Sequence, residues 1–371
     1  MAILTIMNLM FLGFIVFPNS SNRIFYESDI GLGFIGLVLS WKLVKIHWSV
    51  GLMFLIACSS VFLMMNNQDI YQHTLQNPYR FKLAAVTVAT YITVLSFGVL
   101  PFLFSKEFFV KILSSLFFIS IIDASWMLIR TVAWDQSQCY AMLSNPAIDA
   151  SFIACFIPCA LHLIKKNKHR IEIIIALIIM ILAIIISQSS TGVGAIGIAI
   201  ASYLLISYGK KSFKFIIPLA IGISGGSYFY LKEELLNSNG RLAVWKMAIE
   251  FYRNEINPFI GAGIGTFFVW GPEIQLHNAG ADKGHLFTWM HNDWLQVFFE
   301  MGIIGLAALI ILYGSMLVSS WKKKNALFPI VCTYGFVGLT QMPLRAFAFQ
   351  LLGCCLIILC FNKRELCENI Y

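Results

Sequence analysis

Long uninterrupted apolar runs dominate this chain, and they set its predicted elements before any single residue is considered. Runs of roughly 17 to 25 residues recur, each long enough to cross about 30 Å of hydrocarbon as a helix. The expected spans fall roughly at 1–17, 30–46, 48–65, 82–104, 107–129, 147–164, 171–188, 192–208, 213–231, 291–319, 326–341 and 345–361, about twelve helices in all. The first lacks a basic leading segment and a small-residue cleavage site, so it is expected to stay as a span rather than be removed. The pattern therefore predicts an all-α integral membrane protein. Residues 1–231 supply N-terminal transmembrane helices, 232–290 form one large loop, and 291–371 return as C-terminal transmembrane helices. No linker or internal repeat divides the chain.

The loop is the exception to the apolar pattern. Ser238 or Asn239 can cap a helix beginning near Gly240. Leu242, Trp245, Ile249 and Tyr252 then recur on one face, with Lys246, Glu250 and Arg253 on the other. Pro258 ends this helix, and Gly261, Gly263 and Gly265 permit a tight turn after it. These glycines look like a dinucleotide fingerprint, but no strand precedes them, which excludes that reading.

Composition agrees with the pattern. Of 371 residues, 59% are hydrophobic and 12% charged, far below the quarter expected of a soluble domain. The net charge of +8 reports topology first, not a nucleic-acid partner. About 16 of the 26 basic residues, including the run from Lys165 to Arg170 and Lys322–Lys324, fall in alternate loops; placing those in the cytoplasm puts both termini inside and the large loop outside. Most of the nine cysteines lie in apolar runs without a C-x-x-C pair, so neither a disulfide framework nor a zinc site is expected.

Candidate chemistry collects in and around the loop. Arg241 stands in the first turn of its helix, where a cation opposes the macrodipole at a cost of a few tenths of a kcal/mol, so an anion partner is implied. Helix N–H groups and a guanidinium make a diphosphate clamp; the competing reading is an arginine reaching to lipid headgroups. His291, where the loop re-enters the membrane, can take a proton from an attacking hydroxyl, or can be a plain interfacial histidine. Asn292, Asp293 or Glu300 could orient it. His277, His285 and Asp282 fit no usual metal spacing. Trp270, Trp289 and Trp294 could stack on sugars, but an interfacial aromatic belt is the better account. Gly302 and Gly305 suit close helix packing, and Asp123 with Arg130 suits an ion pair or a polar cavity wall inside the membrane.

Three pieces in order carry a resemblance: Arg241 with Trp245, then P-F-x-G-x-G-x-G-x-F from Pro258 to Phe267, then H-N-x9-G-x-x-G at His291, Asn292, Gly302 and Gly305. Together they resemble the O-antigen ligase and polymerase family of bacterial membrane glycosyltransferases. The resemblance implies a GT-C-like enzyme of the bacterial inner membrane that needs no metal or other cofactor. Its donor would be an undecaprenyl-diphosphate-linked glycan, and its acceptor lipid A core, another glycan or a glycoprotein. His291 would be the catalytic residue and Arg241 a diphosphate ligand. Family members commonly carry Ser-Arg-Gly ahead of the loop, whereas this chain reads Ser187-Gln188-Ser189-Ser190-Thr191-Gly192, without the arginine. Arg130, Arg345 or Arg80 is then expected to supply the second cation. A transporter is the rival from another class, but it would predict matched halves and broken helices near the midplane.

Overall fold

The computed structural model describes residues 48–50, 52–53, 56, 60, 106–134, 141–143, 145–166, 169–212, 214, 216, 218, 241–277, 287, 289–343 and 347–361. The spans expected near 1–17, 30–46, 82–104 and most of 48–65 and 213–231 lie outside them, as do the proposed caps Ser238 and Asn239.

The regular elements among the described residues are all helices. In chain order they form α1 (Lys106–Trp134), α2 (Pro146–Lys165), α3 (Arg170–Ile186), α4 (Ser190–Tyr208), α5 (Arg241–Glu255), α6 (Phe267–His277), α7 (Asp293–Lys323), α8 (Leu327–Thr340) and α9 (Phe347–Phe361), with one 3-10 turn, Gly209–Ser212. Four of these, α1, α2, α4 and α7, are long and apolar enough to cross a membrane, and α8 and α9 are shorter apolar helices.

The bundle is built around α2. Asn145 caps it, its Oδ1 accepting from Ala147 N–H at 2.9 Å, and Pro146 opens it, where a missing N–H costs nothing. Residues 149–160 are buried, and Ala150, Ala154, Cys155 and Cys159 keep the helix narrow enough for α1, α3, α4 and α8 to close on it. The closest approach is at Gly192 on α4, where a Cβ would stand 2.6 Å from that of Ala150. This contact fixes the α3–α4 junction against the start of α2.

Asp149, in the first turn of α2, accepts the N–H groups of Ala141 and Leu143, each at 2.8 Å, while Asp123 on α1 accepts that of Met142 at 2.9 Å. Asp123 therefore meets the approach to α2 and the carboxyl of Asp149. The two carboxylates together clamp the 141–143 backbone.

Lys165 and Lys166 close α2, Arg170 opens α3, Lys211 follows α4, and Lys322 to Lys324 close α7. Tyr203 near the end of α4 donates to the Leu161 carbonyl near the end of α2 at 3.1 Å, so these ends lie side by side. Basic residues gather at one end of the bundle. The opposite end carries the α3–α4 junction, the start of α7 and the end of α8.

A second apolar cluster stands on that opposite end. Val244, Ala248 and Tyr252 of α5 pack with Ala262, Phe267, Ile274, Met290 and Phe299. The buried stripe of α5 is thus rotated from the one expected: Leu242 is 55% exposed, and Val244 and Ala248 take the inner positions. The contact with α7 runs through Tyr252, whose ring centroid lies 4.5 Å from that of Phe298. Lys246 and Glu250, on the outer face as expected, form an exposed pair. Trp270 packs on Phe251 with centroids 5.3 Å apart, and the Trp294 indole donates to the Gly335 carbonyl at 3.3 Å, so each of these tryptophans joins two helices.

Candidate active site

The segment after α5 threads into a break in α7. Gly302 has φ 67° and ψ −166°, outside helical space. In an unbroken helix the N–H groups of Ile303 and Ile304 would donate to the carbonyls of Phe299 and Glu300. Instead, Ile303 N–H donates to Pro258 O (2.9 Å) and Ile304 N–H to Phe259 O (3.2 Å). The released carbonyls accept from Ala262 N–H (3.0 Å) and Gly263 N–H (2.8 Å). Four bonds across chains of the fold replace two within the helix, so no buried backbone group is stranded by the break. A Cβ on Gly302 would lie 2.3 Å from the Phe259 carbonyl oxygen, and one on Gly261 2.5 Å from the Gly302 nitrogen. The glycines of P-F-x-G-x-G and of H-N-x9-G are two halves of one joint. Tyr252 Oη donates to Pro258 O at 2.7 Å and ties the joint back to α5.

This joint sets α5 against the first turns of α7, and with them the candidate side chains. Arg241 is the first residue of α5; its Nη1 donates to the Thr340 carbonyl, 3.1 Å away, at the last residue of α8. A guanidinium that opposes its own helix dipole is thereby set against the negative end of another. One turn on, Trp245 Nε1 donates to the Met290 carbonyl at 2.6 Å and fixes the residue before His291.

His291 has φ 50°, a left-handed conformation that costs a non-glycine residue about 1 kcal/mol. Its ring stands edge-on to Phe287, centroids 5.7 Å apart, and Phe287 is itself held by Gln275 on α6. The buried Gln275 carboxamide donates to Phe287 O (2.7 Å) and accepts from Phe287 N–H (2.9 Å). The imidazole is partly buried, and its Nδ1 is enclosed with no hydrogen-bond partner among the described residues. Burial, and then the charge of Arg241, push its pKa from the usual value near 6.5 down to about 4; the Gln341 carboxamide faces the ring, and its hydrogen bonding works in the opposite direction. The ring is neutral at physiological pH. It can accept a proton there.

The residues expected to orient His291 are otherwise engaged. Asn292 is the N-cap of α7, its Oδ1 accepting from Leu295 N–H at 3.0 Å. Glu300, fully buried, accepts from Gln296 Nε2 at 2.9 Å beside the break. Asp293 opens α7, where its charge suits the helix N-terminus. The neighbour that sequence reasoning missed is Gln341, 1% exposed, just past α8. Its Nε2 reaches Thr191 Oγ1 at 3.4 Å, which brings the arginine-less Ser187–Gly192 junction to the same place. Gln188, which stands at the arginine position, is exposed and has φ 53°. Arg130 is partly buried near the end of α1, whose main partners are α2, α3 and α9. Arg345, Arg80, Asp282, His285 and the His277 side chain lie outside the described residues.

The joint, the arginine and the histidine all fall inside one stretch, residues 175–310, that matches the family model for O-antigen ligase. The chain carries an O-antigen ligase family domain. The domain runs from α3 through the broken part of α7, so it includes Arg241, His291, Asn292, Gly302 and Gly305 but ends before α8. Among curated proteins, none matches the chain.

Proposed function

We propose that this protein is an inner-membrane glycosyltransferase that moves a glycan from undecaprenyl diphosphate onto an acceptor hydroxyl, as an O-antigen ligase does. The observation that carries the reading is the meeting of Arg241 with a neutral His291 at the end of the bundle opposite its lysines, within the O-antigen ligase domain. Under the positive-inside rule, that end faces the periplasm.

In this reading Arg241 and the first N–H groups of α5 bind the diphosphate, with Arg130 or Arg345 as the second cation. The acceptor oxygen attacks the anomeric carbon and gives its proton to the imidazole of His291. The bond from that carbon to the phosphate oxygen breaks, and the electron pair leaves with undecaprenyl diphosphate. A diphosphate already carries its charge well, so the step is read as independent of metal. Asn292 and Gly302 support the site by setting the start and the bend of α7, and Gly305 is buried one turn beyond the bend.

Glycan profiling of a deletion strain, complemented with wild type, His291→Ala or Arg241→Ala, tests this. Loss of the mature glycan in both variants, with the protein present in the membrane, is the expected result. Long chains stranded on the lipid carrier identify a ligase, single repeat units a polymerase, and unglycosylated protein a glycoprotein acceptor. Full activity in both variants would remove the proposal.

A further inference from the structure

The two arms of α7 meet at a sharp angle. The rings of Trp294 and Tyr313 stand edge-on with centroids 5.4 Å apart, whereas an unbroken helix would carry the two residues about 28 Å apart. The turn between the arms is the joint at Gly302. The second arm, residues 303–323, is about 31 Å long, one thickness of hydrocarbon, and ends on Lys322 and Lys323. The joint therefore lies at the opposite edge of the hydrocarbon. Ile303, Ile304, Ile310, Ile311 and Val318 are exposed at helical spacing along that arm, a stripe that faces lipid chains.

The joint carries this stripe past the end of the arm. Ile303 N–H donates to Pro258 O and Ile304 N–H to Phe259 O, so residues 258–260 lie directly against the two isoleucines. Phe259 is 61% exposed and Ile260 38%. With Ile303 and Ile304 they bring four large apolar side chains to one place, and residues 256–266 contain no charge. Water around such a patch is unfavourable, while acyl chains cover the stripe that it continues. Arg253, just before it in the last turn of α5, is exposed, and a cation there suits the phosphates that border the chains.

We propose that residues 258–260 are a membrane anchor: Phe259 and Ile260 enter the acyl chains of the leaflet opposite the lysines, beside Ile303 and Ile304. The partner is phospholipid, because the patch is continuous with the lipid-facing stripe of α7. The anchor stands whether or not the protein transfers glycans. Its consequence for the site runs through Tyr252, whose hydroxyl bonds to Pro258 O and ties α5 to the joint. The bilayer surface thereby sets the height of α5 and of Arg241 at its other end.

The test uses full-length protein carrying p-benzoylphenylalanine at one position, reconstituted into vesicles of phosphatidylethanolamine and phosphatidylglycerol, irradiated, and read by mass spectrometry. The probe stands in turn at Phe259, at Ile260, at Ile310 on the lipid-facing stripe and at Lys246 on the exposed face of α5. At Phe259 it replaces one exposed aromatic ring by another, so the fold is not disturbed. Phospholipid adducts through the acyl chain are expected at Phe259 and Ile260, in yields within about threefold of that at Ile310 and roughly tenfold above that at Lys246. Yields at Phe259 and Ile260 no higher than at Lys246 overturn the proposal. Coupling of the Phe259 probe to a second copy of this chain, in place of lipid, also overturns it and makes the patch a protein interface.

Discussion

The guanidinium of Arg241 donates to the carbonyl of Thr340, 3.1 Å away, across 99 residues of sequence. This one bond joins the first residue of α5 to the last of α8 and holds a cation beside His291. Arg241→Lys keeps the charge but not the planar fork that can serve a helix end and a phosphate together. Transfer is expected to fall roughly tenfold or more in Arg241→Lys and roughly a hundredfold in Arg241→Ala, measured as kcat/KM for the lipid-linked donor.

The same cation sets a pH dependence. His291 must be neutral to act as base, and burial with Arg241 holds its pKa at about 4, so kcat/KM is expected to stay level as pH falls through the usual histidine range and to drop only near pH 4. Removing the positive charge in Arg241→Gln raises the histidine pKa, and the acid limb should move up, while burial, the larger cause, keeps it below the usual histidine range. A pH–rate series on both proteins checks the direction. A limb that moves down, or stays, contradicts the electrostatic account.

The joint at Gly302 makes a stability prediction. Alanine at Gly302 or Gly261 would need a positive φ and would drive a Cβ into backbone at 2.3 or 2.5 Å, with no flexible side chain to yield. Each is expected to cost about 3 kcal/mol or more, read as a collapse of the melting temperature in detergent or as loss of protein from the membrane. Activity per surviving molecule is the second readout, because the joint sets α5 against α7.

Asn292 offers a contrast. As an N-cap, Asn292→Ala is expected to cost about 1 kcal/mol of stability. Asn292→Ser or Asn292→Asp should restore it, since either side chain can accept from the same N–H. Denaturation in detergent gives the order. If serine fails to rescue, the side chain does more than cap.

Much of this arrangement was legible from the chain itself because it is local. The start of α5, its end before Pro258, and the bounds of α7, α8 and α9 follow from apolar runs, a proline and charged ends, all read within a few residues. Arg241 and His291 were singled out by residue type against a membrane background. Their mutual support was not legible, since it depends on tertiary contact. Gln341 is a neutral residue in a short turn, and nothing in T-Q-M-P says that its side chain reaches Thr191. The glycines were read as packing aids, but the two-into-four exchange of backbone bonds at Gly302 involves no side chain and leaves no periodic mark. Leu242 is expected inside from the helical period, but the inner face of α5 is chosen by contacts with Phe267, Ile274, Met290 and Phe299, which lie far along the chain.

The central claim is that Arg241 and His291 together carry out glycosyl transfer from a lipid diphosphate. The most direct measurement is transfer by purified protein in liposomes, from a polyprenyl-diphosphate glycan to isolated acceptor, for wild type, His291→Ala and Arg241→Ala. The account predicts product from wild type, none from His291→Ala even at saturating donor, and a raised donor KM in Arg241→Ala. Product from His291→Ala at the wild-type rate would contradict it.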